Sequence, residues 1–480
     1  MVDTGVNLLS RTNGTDTNST SALSAGNKVI AAFDADTGKL WLGSDTGSGY
    51  TYLGGGNPAT GATPTFTISS TETLYFAGGS VGNNLACDFG QNDFDGTVPS
   101  GFKSLNSTTL TAPTYQGIDY FDATIYEGNG TGQRVGDFVP FTDSETIANS
   151  IIFNDDDSAY LNRTYVTPTA ATTFTFACWF KPGSSTSDQY FISTGTDNAS
   201  EGYIAINHST GGGQIWIADP NDGSGFGART SATFPDSSQW YHLCIGIDST
   251  ASSSSRFKLE VNGVEQTLIN NLGGGSTASE PSSSQSMNLN EGNDFNIGRR
   301  IRTSGNYFDG YLANVYFIDG QKLDASSFGQ VDTSTNRWIA KAYSGTYGNN
   351  GYKLAFGTAP GTGSGAGTDT SGEGHNWTEN NFGTNDQVID TPSKNFNVFD
   401  SGLNGVGTLS EGNTQIVTAT NTRTTYTTMN IPATGKWYWE VDITNYVTGG
   451  SVYLGVVEFD ELVTGNDPIN GLTRQVIFDN

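Results

Sequence analysis

No window of eleven or more residues carries the i, i+3, i+4, i+7 apolar spacing of an amphipathic helix, whereas alternation with period two recurs along the chain. Phe174, Phe176, Cys178 and Phe180 share one face of their segment, as do Tyr241, Leu243, Ile245 and Ile247. Trp437, Trp439, Val441 and Ile443 face one way while Glu440 and Asp442 point the other, which reads as a solvent-facing side. Each segment is expected to be a half-buried strand, because successive side chains of an extended backbone point to opposite faces. Turn dipeptides such as Asn262-Gly263 and Asp319-Gly320 follow these runs. The expectation is an all-β protein of antiparallel β-sandwiches.

Length and composition set the outer limits. A chain of 480 residues suits two to three domains. The formal charge of −27 argues against nucleic acid and anionic membrane surfaces as partners, since both repel a strongly negative body. Aromatics make up 12 %, too many for a disordered acidic tail. No apolar run approaches the ~18 residues of a membrane span, so no membrane insertion is expected. The first twenty residues lack the basic region and apolar core of a secretory signal. Three cysteines make no disulfide framework, and Cys87, Cys178 and Cys244 read as small buried hydrophobes.

Shifts in composition divide the chain into 1–112, a connector at 113–148, a dense β block at 149–335, a Gly/Thr-rich connector at 336–410, and a last β segment at 411–480. Within the connector, 358–376 reads as a long loop or linker. In the central block the text runs SIIFNDDDSAYLNR, FTFACWFKP, WYHLCIGID, FKLEVNGV, FNIGRR and FDGYLANVYFIDGQKLDASSFG. This succession resembles the laminin-G-like, concanavalin A-type jelly roll. The resemblance implies that His242 is structural and that oxygen ligands for Ca²⁺ at a sandwich rim are to be sought in Asp155, Asp156, Asp157 and Asp309, with Asn314 nearby in sequence.

The two ends carry a second resemblance. Residues 28–105 contain KVIAAFDADTGKLWLGSD, GGGNPATGATPTF and NNLACDFGQNDFDGTVPSGFKSL, similar to the second half of a SPRY domain. Residues 435–457, GKWYWEVDITNYVTGGSVYLGVV, are similar to its first half, so the halves occur in reverse order. A half sandwich exposes an apolar face and unpaired edges. Three arrangements meet that need: pairing within one chain, head-to-tail pairing between chains into a ring or filament, or excision from a longer tandem protein. The phrases WIAKAYSGTYGNNGYKLAF, DTSGEGHNWTENNF and DTPSKNFNVFD, between these blocks, resemble tail-fibre-like virion proteins of marine bacteriophages. That implies a virion or extracellular location, self-association and a structural role.

No catalytic residue is assigned. Glu440-Val-Asp442 has the alternate spacing of glucanase carboxylates, but the third acid of that pattern is replaced by Asn445. Gly54-Gly55-Gly56-Asn57-Pro58 lacks the Lys of a phosphate loop. Aromatic rings stack on sugars, and Trp216, Tyr50, Tyr52 and Trp377, in or beside polar Gly-rich text, are the candidates for carbohydrate binding. Asn-x-Thr triplets at Asn13, Asn162 and Asn376 are expected by chance in so Asn/Thr-rich a chain. The expected function is a non-enzymatic, fibre-forming module that presents a surface to cell-surface glycan. A filament subunit and a polysaccharide hydrolase stand as alternatives.

Overall fold

The computed structural model describes residues 6–110, 145–458 and 476–478, less 13–14, 24, 46–48, 69–72, 184–186, 198–199, 210, 220–224, 270–279, 292–293, 304, 333–334, 402–407, 418–422 and 446–450. All regular elements described are β-strands and short 3-10 turns, and no helix among them is long and apolar enough to cross a membrane. Most of the expected connector 113–148 lies outside the described residues. The chain forms two compact units, one of residues 112–395 and one made from 1–111 and 396–480.

The first of these units is a jelly roll of two eight-stranded antiparallel sheets. One sheet runs Leu268–Ile269, Phe226–Thr230, Gln214–Asp219, Gly202–Asn207, Gln189–Thr194, Phe295–Ile297, Tyr160–Arg163 and Thr378–Asn380. The other runs Val264–Glu265, Phe257–Val261, Tyr241–Asp248, Thr173–Pro182, Gly310–Asp319, Ser150–Phe153 and Gln387–Val388, with Tyr352–Leu354 paired to Gly310–Asp319. Phe174, Phe176, Cys178 and Phe180 fill the space between the sheets with Leu243, Ile245 and Ile247, meeting Ile204, Ile206, Ile215 and Ile217 from the far side. The expected alternation is realised. The Asn262-Gly263 turn has φ of 51° and 76°, as a two-residue hairpin of this hand requires.

The second sheet is buried on both faces. Its outward residues Ala177, Trp179, His242, Cys244, Tyr311 and Tyr316 lie under Trp240, Ala325, Phe328, Trp338, Tyr343 and Tyr347. The irregular cover is held by an ion pair without solvent exposure, Lys181 Nζ to Asp390 Oδ2 at 2.9 Å. Asn395 Oδ1 accepts a second bond from the same ammonium, and Asp390 also accepts from Trp240 Nε1.

The assignment of 336–410 as a connector is therefore corrected. Tyr352–Leu354, Thr378–Asn380 and Gln387–Val388 all pair into the jelly roll, and the unit boundary falls at 395. Two glycines of this stretch serve contact rather than flexibility. A Cβ on Gly365 would sit 2.0 Å from Glu379 Oε1, and one on Gly367 2.1 Å from the Trp377 carbonyl. The Gly-rich text permits close packing of backbone, which composition alone does not separate from a linker.

The second unit joins residues 1–111 with 396–480. Lys28–Asp34 pairs along its length with Lys436–Asn445, which pairs on its other side with Asn84–Asp88. This sheet is completed by Lys39–Asp45, Tyr50–Tyr52, Gln415–Val417 and Thr408–Ser410, with Phe66–Thr67 paired to Lys39–Asp45. A second sheet runs Arg423–Ile431, Leu74–Val81, Ser451–Glu458 and Val476–Phe478. Trp437, Trp439, Val441 and Ile443 are buried, and the Trp439 ring lies 3.8 Å from that of Phe76 in the facing sheet.

On the opposite face of that strand Asp442 and Thr444 keep solvent exposure, but Glu440 does not, contrary to expectation. Glu440 is 2 % exposed. Its carboxylate accepts the backbone N–H of Asp95 and Gly96 and the Tyr438 hydroxyl. The chain crosses so closely that a Cβ on Gly96 would meet Glu440 Oε1 at 2.7 Å. Asp442 is paired with Lys28, which also bridges to Asp95.

Candidate functional site

A candidate site lies on the jelly-roll unit, where strand Tyr160–Arg163 meets the edge strand Thr378–Asn380. The two are antiparallel, with Asn162 opposite Thr378. Alternation sends Leu161 and Arg163 inward and leaves Asn162 and Thr164 outward; on the partner segment Trp377 goes inward and Asn376 and Thr378 outward. The outward residues, with Val166, Gly374 and His375, line a cleft of 320 Å³ in which Arg163 is also a lining residue.

The cleft is polar and structured. Asn162 Oδ1 accepts from Asn380 Nδ2 at 2.7 Å, and Asn376 Oδ1 accepts the Asp369 N–H at 2.9 Å. His375 Nε2 lies 2.7 Å from the Asn349 carbonyl, and its backbone N–H is held by Asp369. Beneath, the Arg163 guanidinium lies 5.2, 5.3 and 5.5 Å from the ring centres of Phe295, Tyr352 and Trp377. Burial pulls the Arg163 pKa below the usual arginine value. Amides, hydroxyls and an imidazole on a fixed rim can bond the vicinal hydroxyls of a sugar. Among the described residues that line this cleft none is a carboxylate.

The four aromatic candidates do not converge. Trp377 is 2 % exposed, packed edge-on against Tyr352 at 4.9 Å, so neither face is open to a pyranose. It lies beneath the cleft that its neighbours Asn376 and Thr378 line. Trp216 is half-buried on the outer side of its sheet, between Ala205 and Arg229 in the cross-strand row, with the Arg229 guanidinium 5.9 Å from its ring centre. Tyr50 and Tyr52 belong to the other unit, half-buried against Ile30, Trp41, Phe102 and Tyr438. Burial there raises the Tyr50 pKa to about 12 and lifts that of Tyr52 further.

The proposed calcium ligands are not brought together. Asp155, Asp156 and Asp157 form the turn between Ser150–Phe153 and Tyr160–Arg163, with Asp156 and Asp157 exposed. Asp309 is 1 % exposed beside Gly183. Asn314 is buried in a strand at φ of 42°. Among the described residues no three His, Cys, Asp or Glu side chains are grouped to hold a metal ion.

Cys87, Cys178 and Cys244 are free and buried. His242 is fully buried, its ring 4.9 Å from Trp179 and 5.9 Å from Trp338, and burial lowers its pKa to about 3. Asn162 and Asn376 were visible in the sequence only as Asn-x-Thr triplets. That spacing is the trace of two strands with amide and hydroxyl outward and a large inward residue between them.

Comparison with curated proteins gives no match. Among solved structures, a putative carbohydrate-binding protein from Bacteroides ovatus is 17 % identical with a TM-score of 0.33, covering 49 % of this chain and 59 % of its own. The chain thus spans less than two thirds of that protein. A heptameric SAP-like pentraxin from Limulus polyphemus is 15 % identical with a TM-score of 0.28, covering 41 % of this chain and 94 % of its own. Domain 4 of AbnA, an arabinanase from Geobacillus stearothermophilus solved with arabinotriose, is 19 % identical with a TM-score of 0.22, covering 34 % and 65 %. Residues 153–326, within the jelly-roll unit, match the family described as the concanavalin A-like lectin/glucanases superfamily.

Proposed function

We propose that this chain is a non-enzymatic module of an extracellular or virion fibre, and that its jelly-roll unit binds carbohydrate at the Asn162–Thr378 cleft. The carrying observation is the rim itself: Asn162 and Thr378 paired across the sheet edge, with Thr164, His375 and Asn376 in the segments that adjoin those two strands. Ordinary sugar recognition asks for amide and hydroxyl groups held in register, and here the paired strands and the Asp369 bonds to Asn376 and His375 hold them. The fibre role rests on the resemblance of the 338–400 text to tail-fibre-like phage proteins, with a SPRY-like unit built from the chain ends.

A glycan array tests the reading. The wild-type protein is expected to retain a defined set of glycans, and Asn376→Ala, at an exposed rim position, to weaken their binding at least tenfold while the variant stays folded at the temperature of the assay. An array with no retained glycan, or full binding by the variant, overturns the assignment. Negative-stain imaging tests the fibre role, with elongated particles expected.

A further inference from the structure

We propose that the side chains of Lys181 and Asn395 join in an isopeptide bond, which the folded chain forms on itself with Asp390 as the proton carrier. This is a covalent modification of the jelly-roll unit and stands apart from the glycan reading.

The three groups meet where the irregular cover crosses the sheet. Lys181 lies on strand Thr173–Pro182, and Asp390 and Asn395 follow Gln387–Val388. Lys181 Nζ donates to Asp390 Oδ2 and to Asn395 Oδ1, both at 2.9 Å. One ammonium thus touches a carboxylate able to take its proton and an amide able to take its lone pair. Asp390 is fixed through its other oxygen by Trp240 Nε1 at 2.9 Å. The Asn395 amide is fixed by donation from Nδ2 to the Ser238 carbonyl at 2.8 Å. Holding both reactants in one orientation removes much of the entropic barrier to their reaction.

The surroundings favour the same step. The Lys181 and Asp390 side chains have no exposure to solvent, and Asn395 is 6 % exposed. Trp240 and Tyr311 belong to one apolar cluster with Ile152, Trp179 and Val388, and the Tyr311 ring centre lies 5.3 Å from Nζ. An ammonium is no nucleophile until it gives up a proton. Burial lowers the Lys181 pKa against the pull of Asp390 and, at longer range, Asp236, which eases that loss. Exclusion of water removes the competitor for the amide carbon.

The step balances without an added reagent. A proton passes from Lys181 Nζ to the Asp390 carboxylate, and the freed lone pair attacks Asn395 Cγ to form the Nζ–Cγ bond. A second proton passes from Nζ to Nδ2 by way of Asp390. The Cγ–Nδ2 bond then breaks with its electron pair on nitrogen, and ammonia leaves. Asp390 keeps the first proton, so no lone charge is left in the interior. The ion pair is the arrangement before reaction, and the bond ties strand to cover across 214 positions of sequence.

Mass spectrometry of the purified full chain tests this. The denatured wild-type chain is expected to weigh one ammonia less than its sequence requires. A succinimide at an Asn–Gly pair such as Asn262-Gly263 also costs one ammonia, so protease digestion with fragment sequencing decides. A branched peptide is expected, joining the Lys181 side chain to residue 395. Asn395→Ala is expected to give only unbranched peptides, and Asp390→Asn to lower the branched fraction at least tenfold. The wild-type digest decides the bond whether or not these variants fold. An unbranched Lys181 peptide from the wild type overturns the proposal, as does a branch to Asp390 formed with loss of water. A branch kept in full by Asp390→Asn overturns the role given to that carboxylate.

Discussion

Lys181 and Asp390, 209 residues apart in sequence, form an ion pair whose side chains have no exposure to solvent. Burial lowers the lysine pKa, and Asp390 works against that shift. The pair joins strand Thr173–Pro182 to the segment that follows Gln387–Val388, and so fastens the irregular cover onto the sheet.

Removing one partner leaves the other charge buried and alone. Asp390→Asn or Lys181→Met alone is expected to cost roughly 3–5 kcal/mol. The double variant is expected to recover part of that loss, since no unpaired charge remains. Urea denaturation followed by tryptophan fluorescence measures all three. Single variants with wild-type midpoints would show that the pair contributes nothing.

His242 predicts how the jelly roll responds to acid. Its folded pKa is about 3 against 6.5 for a free histidine. Between these values the unfolded chain binds a proton that the folded one refuses, so stability is retained above pH 6.5 and lost as pH falls toward 3. The loss approaches about 1.4 kcal/mol per pH unit from this group. Asp219 and Asp386 act in the opposite sense: burial raises them to about 7 and about 6, so they favour the folded state as pH falls. The comparison that isolates the histidine is wild type against His242→Leu. The wild type should lose stability relative to the variant below pH 6.5, and parallel profiles would remove His242 as the cause.

Glu440 separates the structural from the hydrolytic reading of the Glu440-Val-Asp442 motif. Its two backbone donors and the Tyr438 hydroxyl make it an anchor for the Asp95–Gly96 crossing. Glu440→Gln is expected to destabilise the unit by about 1–3 kcal/mol, as a buried amide replaces a satisfied acceptor. Reducing-sugar assays on array-positive glycans are expected to show no turnover by either form. Turnover by the wild type that the substitution abolishes would restore the hydrolase.

Local pattern carried much of this protein. Period-two alternation placed Phe174, Phe176, Cys178 and Phe180 in the core, and Asn262-Gly263 in a hairpin turn, because side-chain direction in a strand and positive φ at a turn are properties of neighbouring residues. What needed tertiary structure was every relation between residues far apart. Glycines 365 and 367 read as linker until Glu379 and Trp377 were seen against them. Glu440 read as exposed until the Asp95–Gly96 crossing was seen to cover it. Trp377 read as a sugar platform, yet its own neighbours Asn376 and Thr378 form the cleft once strand pairing brings Asn162 alongside. A sequence specifies which way each side chain points, whereas what waits there depends on which distant strand arrives, and that is settled by the packing of the whole unit.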